Sequence, residues 1–62
     1  MEEKLRKALE DVPGMYDAVI TFAFLAAYDE PKQKQLLEFL EENPNVRTDK
    51  LLEYIFYEVQ DE

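Results

Sequence analysis

An uncharged run of eleven residues, Ala18 to Tyr28 (AVITFAFLAAY), lies between Asp17 and Asp29 in a chain of 62 residues whose formal charge is −8. A membrane-spanning helix needs about 20 apolar residues, so the run is too short to cross a bilayer. Its polar edge carries Asp17, where a helix lying on a membrane surface carries Lys or Arg. No membrane contact is therefore expected. As a helix the run is apolar almost all round, and such a helix is normally buried among neighbours. Met15, Val19, Phe22 and Ala26 fall on one side, with Asp17, Thr21, Phe24 and Tyr28 opposite. Ala18, Ala23, Ala26 and Ala27 would let other helices approach closely. The rival is a strand: Val19-Ile20-Thr21-Phe22 are good strand formers, and strand–helix–helix is the order of ribbon-helix-helix repressors. The alanines favour helix, and such a ribbon would offer a DNA groove only apolar groups.

Helix breakers fall at Pro13-Gly14, Glu30-Pro31 and Asn43-Pro44-Asn45. They predict an all-α fold: a compact bundle of four short helices, about 2–12, 15–28, 31–42 and 49–60, with 15–28 as the central buried helix. Residues 1–62 read as a single domain. In the first helix Met1, Leu5, Ala8, Leu9 and Val12 form one apolar stripe, and Pro13 biases Val12 away from helical dihedrals. Pro31 suits the first turn of the third helix, with Asp29 or Glu30 as cap and Leu36, Leu37 and Leu40 as its buried face, Phe39 at the edge. Thr48 is a good N-cap for the fourth.

A chain of this length buries only about 60% of the surface its unfolded form exposes. Small domains often add disulfides, metals or a subunit partner, and here cysteine and histidine are both absent. Efficient helix packing or self-association remains. The lack of cysteine suits a reducing compartment, and the charged opening MEEKLRKALEDV is unlike a secretory signal. The expected location is cytoplasmic.

Catalytic chemistry is poorly provided for. Serine, cysteine, histidine and tryptophan are all missing, which removes Ser-His and Cys-His nucleophile pairs and histidine bases. No calcium loop or Gly-rich phosphate loop occurs. The expectation is a protein that is not an enzyme and has no cofactor and no metal. Charge is spread evenly: −1 over residues 1–11, −2 over 12–29, −2 over 30–45 and −3 over 46–62. Without a basic block, direct nucleic acid binding is not expected.

The fourth helix carries the functional hint. Leu52, Ile55, Phe56 and Val59 make a stripe for the core, while Lys50, Glu53, Tyr54, Tyr57 and Asp61 share the outer side. Tyrosine is enriched at protein interfaces. Glu53, Tyr54, Tyr57 and Asp61 are thus the candidate contact face, with Tyr16 and Tyr28 as lesser candidates. The reading is a protein–protein interaction or regulatory module, a homodimer that docks another protein, basic by charge complementarity. An alternative is an acidic antagonist that mimics nucleic acid.

Gln35 to Ile55, QLLEFLEENPNVRTDKLLEYI, resembles the opening two helices of winged-helix or helix-turn-helix regulators: a leucine-rich helix, an Asn-Pro turn, a threonine and a second helix. The resemblance covers a third of the chain and implies, as a further alternative, a truncated regulator of that kind. The family's third helix, which reads bases, finds no counterpart in Val59-Gln60-Asp61-Glu62, so no binding residue carries over.

Overall fold

Each anticipated break falls at or beside a helix boundary in the computed structural model, which describes residues 2–59. The helices are α1 (Glu2–Glu10), α2 (Asp17–Ala26), α3 (Glu30–Glu42) and α4 (Thr48–Tyr54); α4 continues directly into a π-helical turn, Ile55–Val59. No strand occurs among the described residues, and Val19-Ile20-Thr21-Phe22 is helical, which overturns the ribbon alternative. Met1, Asp61 and the expected helix end at Gln60 lie outside the described residues. The radius of gyration is 10.0 Å, against roughly 11 Å for a well-folded chain of this length. The four helices pack as an all-α bundle.

α1 stops where proline dictates. Val12 and Met15 close a turn, the Met15 N–H donating to the Val12 carbonyl at 3.2 Å, and Gly14 has φ +83°. Proline followed by a positive-φ glycine is the signature of a type II turn. The turn docks on the start of α4: Thr48 Oγ1 donates to the Pro13 carbonyl at 2.6 Å. Thr48 is therefore the first helical residue and not the cap that its type suggests. Arg47 occupies the N-cap position, extended at φ −106° and ψ 168°, with no side-chain hydrogen bond to the helix. α3 follows the expected pattern, since Asp29 Oδ1 accepts from the Lys32 N–H at 3.0 Å and Pro31 sits in the first turn.

α1 packs on α2 and α3, and the π-helical turn packs on the same two helices from the other end of the chain. The core lies where these faces meet. Leu5, Leu9, Leu36, Leu51, Ile55 and Val59 are its largest fully buried side chains, so the α1 and α3 faces stand as expected. α2 is a helix, but its burial is one-sided rather than all-round. Val19, Ile20, Ala23 and Ala26 are buried, Phe22 and Phe24 half-buried, and Leu25 is 72% exposed. A helix whose main neighbours are α1 and the C-terminal turn has one side left in water.

The core stripe of α4 also differs from the expected one. Leu51, Ile55 and Val59 are buried, Leu52 is half-buried and Phe56 is exposed. Residues four apart share one face of a helix, and Phe56, one residue past Ile55, lies about 100° round from it. Four residues along an α-helix advance the face by about 40°, whereas four along the wider π-helix, at about 4.4 residues per turn, retard it by about 30°. The two steps nearly cancel, which brings Val59 back into line with Leu51 and narrows this face. The carbonyls at the end of this turn are covered from α3: Lys32 Nζ donates to the Val59 carbonyl at 3.2 Å and Gln35 Nε2 to the Glu58 carbonyl at 3.5 Å.

Candidate interaction surface

Phe39 ends its helix turn at the edge of the α3 apolar face, and Tyr54 leaves α4 toward it. The two rings stack in parallel, centroids 3.8 Å apart and planes 8° from coplanar. Below them the chain reverses through Asn43 to Val46. Asn43 caps α3, its backbone N–H and its side-chain Nδ2 both donating to the Phe39 carbonyl, at 3.0 and 2.9 Å. The Val46 N–H then donates to the Asn43 carbonyl at 3.0 Å. This hydrogen-bonded turn forms one wall of an open groove of about 700 Å³. Its other wall is α4 with the π-helical turn: Lys50, Glu53 and Tyr54 from the first, Tyr57 and Glu58 from the second.

Three carboxylates, Glu42, Glu53 and Glu58, line the groove against one cation, Lys50. Lys50 Nζ lies 3.9 Å from Glu53 Oε1, with both side chains well exposed. Exposed pairs of this kind contribute at most about 1 kcal/mol, so the pair orders the rim only weakly.

Beyond Tyr57 the surface changes character. Its ring meets Phe56 edge-on at a centroid distance of 5.2 Å. Phe22 from α2 joins Leu52, Phe56 and Tyr57 around a second, shallower depression of about 380 Å³, with Asp49 and Glu53 at its rim. Phe56 and Tyr57 are 58% and 64% exposed. An apolar strip thus adjoins an acidic aromatic groove, and Glu53 and Tyr57 belong to both.

Of the residues picked from sequence, Glu53, Tyr54 and Tyr57 come together in the groove. Tyr54 is half-buried, one face of its ring covered by Phe39, and it forms the floor of the groove. Tyr16 stands at the N-cap of α2, and Tyr28 follows α2, where Lys32 Nζ lies 5.7 Å from its ring centre. Both are exposed, and neither lines the groove. Asp61 lies outside the described residues. Sequence reasoning missed Phe39, Glu42, Glu58 and the apolar members Phe22, Leu52 and Phe56. Phe39 carried a readable signal, an aromatic ring at the margin of an apolar face. Phe56 carried none, because its exposure depends on which of two apolar faces the neighbouring helices cover.

Set against models of known protein families, curated proteins and solved structures, the chain matches none of them.

Proposed function

We propose that this chain is a protein-interaction module that associates with a second copy of itself through the Phe22–Leu52–Phe56–Tyr57 strip. The supporting observation is the strip itself: two large rings more than half exposed, beside Leu52 and Phe22, on a body with a small core. Apolar patches on small soluble chains mark contact surfaces. Among the described residues Asp49 and Glu53 are the charged side chains that line the strip, and both are exposed, so two copies can cover the apolar rings while these carboxylates stay in water, at a repulsion that salt screens. Among the described residues no charged side chain is buried, and the reading includes no catalysis. No helix of the described residues is long and apolar enough to cross a membrane; the absence of cysteine supports a cytoplasmic site of action.

Sedimentation equilibrium at high micromolar concentration tests the association. The expected result is a dimer mass that strengthens as salt rises, because screening removes the mutual repulsion of two acidic chains. Leu52→Glu with Phe56→Glu should yield monomer with an unchanged helical spectrum. A wild-type monomer mass at every concentration and salt overturns the proposal.

A further inference from the structure

We infer that the groove between α4 and the Asn43–Val46 turn takes an arginine side chain from a basic segment of a partner protein; the inference rests on the interaction-module reading. Three features of the groove converge on a flat cation. Among the described residues its carboxylates exceed its cations by two: Glu42, Glu53 and Glu58 face Lys50, which already leans on Glu53. The last turn of α3, which ends at the groove, holds Glu41 and Glu42 and no basic residue. A helix C-terminus carries partial negative charge and is normally matched by Lys or Arg, so acid at this end leaves a local field that a foreign cation relieves. The third feature is aromatic. Tyr54 and Tyr57 line the groove, and among the described residues neither has a cation over its ring. Elsewhere this chain does place cations over rings: Arg6 lies 5.3 Å from the Phe24 centroid and Lys32 lies 5.7 Å from that of Tyr28.

Arginine fits these features better than lysine. Its guanidinium is planar and weakly hydrated, stacks on an aromatic face and forks to a carboxylate, whereas an ammonium keeps its water. The groove is open to solvent, so a ligand that need not shed a tight hydration shell gains more there. Its volume, about 700 Å³, falls within the roughly 300–1,000 Å³ typical of ligand sites and leaves room for flanking peptide backbone.

The test uses the full chain, isotopically labelled, and three blocked peptides: Gly-Arg-Gly-Arg-Gly, its lysine counterpart and its citrulline counterpart. Amide shifts on adding the arginine peptide should cluster at Phe39, Glu42 to Val46 and Glu53 to Glu58. The lysine peptide should bind more weakly and the uncharged citrulline peptide not at all. Glu42→Gln with Glu58→Gln should weaken the arginine peptide by about fivefold, with the thermal midpoint as control for folding. Raised salt should weaken peptide binding while it strengthens self-association, so the two proposals fail separately. Because Glu53 and Tyr57 belong to both surfaces, the peptide is also titrated at chain concentrations low enough to be monomeric: a monomer that ignores it there sinks the groove alone, and a chain that binds it but stays monomeric at every concentration sinks the self-association alone. Shifts spread evenly over all four helices, equal response to arginine and lysine, or indifference to the double substitution would each overturn the assignment.

Discussion

Replacing Arg47 by serine should stabilise the fold by about 1 kcal/mol, even though the residue is exposed. Arg47 already has the extended backbone of an N-cap, and its carbonyl accepts from the Leu51 N–H at 2.9 Å. Its guanidinium can only donate, so it satisfies none of the N–H groups left over at the start of α4. One of them, on Lys50, is met by Asp49 Oδ1 at 2.8 Å. A serine Oγ would therefore gain chiefly the Asp49 N–H, which places the capping gain near the lower end of the usual range, about 0.5–1 kcal/mol. Removing a positive charge from the positive end of a helix adds roughly 0.3 kcal/mol at an exposed site. In a domain of this size a gain of about 1 kcal/mol raises the thermal midpoint by roughly 4–8 °C. Thermal unfolding followed by far-ultraviolet circular dichroism, at about 0.15 M salt to screen the changed net charge, measures it. The companion variant is Thr48→Asp. If Thr48 were the cap, aspartate would serve as well. Here the threonine hydroxyl donates to the Pro13 carbonyl, and a carboxylate facing that oxygen has no proton to offer. Thr48→Asp should cost about 0.5–1 kcal/mol. A neutral Thr48→Asp together with an unaltered or less stable Arg47→Ser would refute the assignment.

Leu51→Ala should destabilise by about 2–5 kcal/mol, enough to leave a chain of this size largely unfolded, whereas Phe56→Ala should stay within about 0.5 kcal/mol for the monomer; urea titrations of the two rank them. Gly14→Ala puts a Cβ at positive φ and 3.0 Å from Thr48 Oγ1, so a loss of about 1–2 kcal/mol is expected, and a double-substitution cycle with Thr48→Val should show that the two losses do not add. Asp29→Ala removes the hydrogen bond to the Lys32 N–H and should cost about 1 kcal/mol, read by the same thermal scans.

How far the candidate site could be read ahead of the structure follows from the α4 segment. From Leu51 to Val59 the chain reads LLEYIFYEV, apolar or aromatic at seven of nine positions, and such a segment permits more than one inward face. Leu52, Ile55, Phe56 and Val59 form one helical face and Leu51, Ile55 and Val59 another, and the wider last turn narrows the second by bringing Val59 back into line with Leu51. The tyrosines were found because aromatic residues on a polar helix side are visible in one dimension. Their separate roles were not: Tyr54 became a floor because Phe39, fifteen positions earlier, lies under it.

Helix number, helix limits to within a few residues, and the buried faces of α1 and α3 were determined by sequence alone. Proline geometry, a cap at Asp29 or Glu30 and the spacing of leucines act within a few residues of chain, and local physics suffices for them. The inward face of α4, the one-sided burial of α2 and the use of the Thr48 hydroxyl were decided only by tertiary structure. Each depends on a partner far along the chain: α2 and α3 for the line of Leu51, Ile55 and Val59, and Pro13 for Thr48. Where a segment is apolar on several sides its own residues leave the choice of face nearly degenerate, and the neighbours that complete the core select it.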